Sequence, residues 1–180
     1  MTHSQELRYS RQLRLPEVGV EGQRRLAEAS VLVVGAGGLG TPALHHLAAS
    51  GVGRLGIVEF DTVDLSNIHR QTLYSSDDVG QPKLEAAVRR LRKINPEVEL
   101  IAHAERLDAS KADRLVGAYD LVLDGSDTFA TRYAVNDASV STGVPVVYAS
   151  VDQFRARRRS WECRAGRATG AYSPNRPPPA

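Results

Sequence analysis

The sequence predicts an α/β fold, a mainly parallel sheet with helices on both faces, preceded by an N-terminal helical arm. Three observations carry this. The apolar run Val31-Leu-Val-Val34 breaks into a glycine-rich turn followed by a helical pattern. Strand-like and helix-like segments then alternate as far as Val151, which favours parallel strands joined by crossover helices. The strand candidates are short and continuously apolar, as strands covered on both faces are.

Composition sets the limits. The 180 residues suffice for one domain with a real core. With 42% hydrophobic and 24% charged residues the chain is ordinary for a soluble globular protein. It has no apolar run of transmembrane length, and Met1-Thr-His-Ser-Gln-Glu6 has no signal-peptide core, so a cytoplasmic protein is expected. The single Cys163 excludes an internal disulfide and a cysteine-based metal site within one chain. The net charge of +2 hides a division: residues 155–180 carry +6 and the rest −4. The body is therefore mildly acidic, and no nucleic-acid or membrane partner is expected.

The elements follow in order. Residues 1–29 form the arm, with Arg8-Tyr-Ser-Arg-Gln-Leu13 read as a solvated segment and Gly22 to Ala29 as a short helix. Val31 to Val34 is a buried strand, and Gly35, Gly37 and Gly40 form G-x-G-x-x-G before a helix over 41–50. Such a turn needs glycine for tight reversal, for close approach of backbone to phosphate, and for helix-on-strand packing. Free N–H groups and the positive dipole end of the helix suit a pyrophosphate. The next strand, over 54–60, carries Glu59, nineteen residues after Gly40, where Rossmann-like folds place an acid for ribose hydroxyls.

Residues 60–73 read as a polar loop with helical turns. Leu84, Ala87, Val88, Leu91 and Ile94 keep helical spacing, with Pro82 suited to the first turn and Asn95-Pro96 stopping the helix. A strand is expected over 98–104, a helix over 110–117, a strand over 120–124, a helix from Thr128 and a strand over 144–151.

In an open parallel sheet, ligands bind beyond the carboxyl ends of the strands. Glu59 and Asp61 lie at one such end, and Asp124, Ser126 and Asp127 at another, with Arg70 and Lys83 within reach. A phosphate cradle with cations and acids suits a nucleoside triphosphate. The P-loop pattern is absent, so distributed cations must hold it. Asp61 and Asp64 read equally well as turn or cap residues. His45, His46 and His69 receive no role.

Six segments occur in order: Arg8-Tyr-Ser-Arg-Gln12, Gly35-Ala-Gly-Gly-Leu-Gly40, Asp61-Thr-Val-Asp-Leu-Ser-Asn67, Arg70-Gln-Thr-Leu73, Gly80-Gln-Pro-Lys83 and Asp120-Leu-Val-Leu-Asp-Gly-Ser-Asp127. Together, over about residues 7–154, they resemble the ThiF/MoeB/HesA family, relatives of ubiquitin-activating enzymes. The resemblance implies ATP- and magnesium-dependent adenylation of the C-terminal glycine of a ubiquitin-like sulfur-carrier protein, for thiamine, molybdopterin or thionucleoside synthesis. It implies that Gly35, Gly37, Gly38 and Gly40 line the phosphates, that Glu59 takes the ribose, and that Asp61, Ser66 and Thr128 line the nucleotide site. Asn67, Arg70 and Lys83 would hold phosphate, and Asp127 would position magnesium. Arg11 would reach the γ-phosphate from the partner of a homodimer. Thr128 stands where relatives carry Asn, and is suited to cap the next helix. Two other readings remain open: an NAD(P)-dependent oxidoreductase, which the glycine turn and Glu59 equally allow, and a non-catalytic nucleotide-binding remnant.

From Arg155 the chain turns into Arg, Ala, Gly and Pro without Lys. Relatives continue Glu-Gly, a strand and a Cys-x-x-Cys zinc half-site. Restoring one G before codon 155 and reading the shifted frame, with permitted synonymous codons, gives Glu-Gly and later Cys-Tyr-Arg-Cys. Residues 30–154 are therefore expected to be the nucleotide-binding domain. Residues 155–180 are expected to be an out-of-frame, disordered tail in which Cys163 is a by-product, and the C-terminal part of the family fold, zinc site included, is expected to be missing.

Overall fold

The computed structural model describes residues 1–151 in full and the backbone of 152 and 155–161. Residues 153–154 and 162–180, which include Cys163 and most of the expected tail, lie outside the described residues.

Six strands form one sheet in the order β3-β2-β1-β4-β5-β6. They are β1 (Ser30–Val34), β2 (Arg54–Val58), β3 (Glu99–His103), β4 (Leu121–Asp124), β5 (Val146–Asp152) and β6 (Arg155–Trp161). The first five pair in parallel, and β6 runs antiparallel to β5. Seven of the residues expected to be disordered are therefore a strand. The expectation rested on composition, and backbone pairing to an open edge needs no apolar side chains.

Alternation along β1 divides the core. Val31 and Val33 face one side, with α4 (Gly40–Ser50) and α5 (Lys83–Ile94), where Leu44, Ala48, Leu84, Ala87 and Leu91 pack. Leu32 and Val34 face the other, with α6 (Ala109–Val116) and α7 (Phe129–Thr142), where Ala112, Leu115, Val116, Val135 and Ala138 pack. All five β1 residues are buried, as a strand sandwiched between helix layers requires. Among the described residues no helix is long and apolar enough to cross a membrane.

The arm comprises α1 (His3–Arg8), α2 (Ser10–Leu13) and α3 (Gly19–Glu28). It is not the solvated segment expected from its polarity. Tyr9 is 5% exposed, and its hydroxyl accepts from Nδ2 of Asn95 at 2.8 Å. The same Nδ2 donates to the Ala48 carbonyl at 2.8 Å. Gln23 Nε2 donates to the Ser50 carbonyl at 2.9 Å, and Arg8 to the Ile94 carbonyl at 3.0 Å. Gly51 turns with φ +84°, and a Cβ there would strike Tyr9 and Gln23. The arm is thus fastened to the ends of α4 and α5.

Candidate functional site

Strand order reverses between β1 and β4, so their outgoing loops open a crevice at the carboxyl edge of the sheet, where such folds bind ligands. The crevice holds about 850 Å³.

Its floor is the glycine turn. Gly35 leaves β1 at φ +87° beside Gly125 of the loop after β4. A Cβ at Gly40 would collide with the Gly35 carbonyl, so only glycine lets α4 start this close to β1. The turn is braced from three sides. Ala36 N–H donates to Glu59 Oε2 at 2.8 Å, and the Tyr74 hydroxyl donates to the Ala36 carbonyl at 2.8 Å. Thr41 Oγ1 donates to the Gly37 carbonyl at 2.9 Å and accepts from Thr72 N–H. Burial raises the pKa of Tyr74, so its hydroxyl stays a donor at physiological pH. No side chain caps the N-terminus of α4, and this end of the helix can meet an anion.

Glu59 follows β2 and is buried. Its Oε1 accepts from the N–H groups of Phe60 (2.8 Å) and Asp61 (2.9 Å). With Oε2 taking Ala36, three of about four acceptor positions are used, and one remains on Oε2. The acid expected to serve a ribose therefore also ties the glycine turn to the loop after β2.

Lys83 is brought in by a short antiparallel pairing. Thr62 bridges Pro82, and Val63 exchanges backbone bonds with Gln81 and Gly80. This fixes the start of α5 below the crevice, with Pro82 at the cap position just before the helix. Lys83 is buried, and its Nζ lies 3.2 Å from Asp61 Oδ2. Asp64 takes the cap role that was one of its two readings: it accepts from Ser66 N–H at 2.7 Å, and these Ser66 contacts hold its carboxyl below the usual range. Asn67 and Arg70 stand opposite the turn, joined by a bond from Arg70 Nη1 to Asn67 Oδ1 at 3.0 Å.

Across the crevice, Asp124 is buried, which pushes its carboxyl up against the opposing hydrogen bonds from Ser126 N–H and Oγ. Asp127 is exposed at the rim. Thr128 caps α7 by accepting from Thr131 N–H at 3.3 Å, as its residue type suggested.

The crevice is lined by Gly35, Gly37, Gly38, Glu59, Asp61, Ser66, Asn67, Arg70, Lys83, Asp127 and Thr128, all anticipated from the sequence. Gly40 lies beneath it as the packing contact. Arg11 is exposed on α2 and does not line it. Gln71, Arg106, Thr131 and Arg132 line it unanticipated. Gln71 stood inside a quoted motif, whereas Arg106, stacked over Phe60 at 4.4 Å, carried no sequence signal.

The model of the ThiF family matches residues 9–178. The chain belongs to the ThiF family. The matched span runs past Phe154, where the motif resemblance stops. A sulfur carrier protein adenylyltransferase of Thermus thermophilus is 54% identical over 147 residues, covering 82% of this chain and 54% of that protein. The adenylyltransferase and sulfurtransferase MOCS3 of Sus scrofa is 47% identical over all 180 residues, or 39% of its own length. This ThiF-family chain therefore spans about half, or less, of these curated relatives. Among solved structures, the E. coli tRNA N6-threonylcarbamoyladenosine dehydratase TcdA in complex with ATP superposes with a TM-score of 0.78 at 26% identity. That match covers 84% of this chain and 64% of the dehydratase.

Proposed function

We propose that the crevice binds ATP and transfers its adenylyl group to the C-terminal glycine carboxylate of a small ubiquitin-like sulfur-carrier protein, in thiamine, molybdopterin or thionucleoside synthesis. One observation carries the reading: a glycine turn and open helix end face the buried cation of Lys83, with Arg70 and Asn67, across one crevice. A hydride-transfer enzyme needs no such set of cations, which weighs against the NAD(P) reading. The names of the relatives support the carrier as substrate.

A carrier carboxylate oxygen attacks the α-phosphorus, the bond to the bridging oxygen of the β-phosphate breaks, and pyrophosphate leaves. The carrier supplies the nucleophile, so no side chain has to. Charge grows on the departing pyrophosphate, so cations fixed beside it stabilise the transition state more than the ground state. Gly35 to Gly38 cradle the phosphates, Glu59 Oε2 accepts from the ribose, and Lys83, Arg70 and Asn67 hold the leaving group. Among the described residues no group of three or more His, Cys, Asp and Glu is built as a metal site. One exposed carboxylate at a phosphate-binding rim is nonetheless the donor that nucleotide-borne magnesium uses. Asp127 would hold that ion, which supplies charge neutralisation at the phosphate oxygens. Arg11, exposed and outside its own crevice, fits a donor to the site of a homodimeric partner. Residues from Arg155 are read as out of frame, and resequencing codons 150–160 tests this.

Carrier-dependent exchange of labelled pyrophosphate into ATP tests the function. Exchange that requires the carrier's terminal glycine supports it. ATP binding without exchange, in this chain and in a version with the frame restored, leaves a non-catalytic nucleotide-binding protein.

A further inference from the structure

Gln71 lies at the foot of the crevice and is 3% exposed. Its Nε2 donates to Asn67 Oδ1 at 2.9 Å, the oxygen that also accepts from Arg70 Nη1 at 3.0 Å. An amide oxygen has two lone pairs, and both are committed here. The two donors fix the orientation of the Asn67 amide, since turning it over would set its NH2 group against them. Its Nδ2 is left with a single long contact, 3.5 Å to Ser66 Oγ.

Gln71 itself is held by its backbone, with its N–H on the Asn67 carbonyl at 3.0 Å and its carbonyl accepting from Tyr74 N–H at 3.2 Å. Its Nε2 sits 3.9 Å from where a Cβ on Gly37 would lie, so the amide that holds Asn67 also lies against the glycine turn. Its Oε1 is buried without a hydrogen-bond partner. A buried orphan acceptor destabilises a fold. An apolar side chain of similar length would avoid that penalty, so stability alone does not account for glutamine here.

We propose that Gln71 is a positioning residue of the nucleotide site. It locks the Asn67 amide so that Nδ2 is presented to a phosphate oxygen, and through the shared acceptor it keeps Arg70 over Gly38, whose Cβ position lies 3.8 Å from the Arg70 side chain. This rests on the reading of the crevice as an ATP site. It is distinct from direct contact, because Gln71 acts through Asn67 and Arg70.

Two variants of the full chain test it, each measured by titration with a fluorescent ATP analogue and by urea unfolding. Gln71→Met keeps the volume and removes both the donor and the orphan acceptor. The expected result is stability equal to or above the parent with nucleotide binding weakened about tenfold, the scale of one misdirected hydrogen bond to a charged group. Gln71→Glu sets an acceptor against Asn67 Oδ1. Its binding should be weaker than the parent at pH 8 and return toward the parent as the pH falls and the buried carboxyl regains a proton to donate. A merely structural role would lower stability and binding together and give no such pH-dependent ratio. Parental affinity in Gln71→Met, with the parent binding the analogue, overturns this proposal alone. A parent that binds no ATP analogue overturns the nucleotide reading and this proposal with it.

Discussion

Replacing Lys83 by Met separates the two jobs that a buried lysine can do. The ammonium is 3.2 Å from Asp61, but the Asp61 side chain is 53% exposed while that of Lys83 is only 8% exposed. Water already solvates one partner, so their attraction contributes about 0–1 kcal/mol. Removing the ammonium also removes the cost of burying it. The unfolding free energy from urea titration should therefore change by no more than about 1 kcal/mol. Binding is different. A hydrogen bond to an ionised group contributes about 1.5–3 kcal/mol, so losing the cation at a triphosphate should weaken ATP about 10- to 100-fold, with adenosine affected far less. Parallel titrations with ATP and adenosine read this out. A folded Lys83→Met chain that binds ATP as tightly as the parent would refute the assignment of Lys83 to the phosphates.

Gly40→Ala should cost about 1–3 kcal/mol by overpacking against the Gly35 carbonyl and should abolish ATP binding, since α4 must retreat from the turn; a variant that keeps parental affinity would contradict the packing argument. Asn95→Ala leaves the Tyr9 hydroxyl without its donor and removes one of the two donors to the Ala48 carbonyl, which still accepts from Gly51 N–H, and should lower stability by about 1–3 kcal/mol, with amide exchange accelerated first in α1 and α2. Asp120 accepts from Ser30 Oγ at 2.6 Å and Ser30 N–H at 2.8 Å, and these bonds hold its carboxyl below the usual range. Because the folded pKa is depressed, its stabilisation is complete above the ordinary carboxylate pKa near 4 and is lost as pH falls through the folded value. Asp120→Asn should therefore flatten the acid limb of the stability profile and leave its slope above pH 6 unchanged. Asp124→Asn, which keeps an acceptor for Ser126 and removes a buried charge, should leave stability at neutral pH equal or higher, by thermal unfolding.

The elements legible in the sequence were those whose pattern is local. β1, β2, β4 and β5 announce themselves as apolar runs, and α5 as a 3.6-residue stripe ended by Asn95-Pro96. The glycine turn and Glu59 were legible because spacing alone places them at adjacent strand ends. The placement of Tyr9 was not, because its burial depends on Asn95, 86 residues away, and on the space that Gly51 leaves. β6 was not legible because it pairs through backbone in a segment of arginines. Within the site, Lys83 could be named from Gly80-Gln-Pro-Lys83, but the pairing of Thr62 with Pro82 that buries it is a tertiary fact. Asp124 is legible as a residue of a strand end, but its burial and its hold on Ser126 are tertiary facts. Gln71 is not legible in the sequence, because nothing local marks a glutamine whose partner is another amide.

Equilibrium titration of the full chain with ATP and, separately, with NAD bears most directly on the crevice as a triphosphate site. Saturable ATP binding that weakens in Lys83→Met, with NAD binding absent or much weaker, is the expected result. Saturable NAD binding without ATP binding would contradict it and return the glycine turn and Glu59 to a dinucleotide.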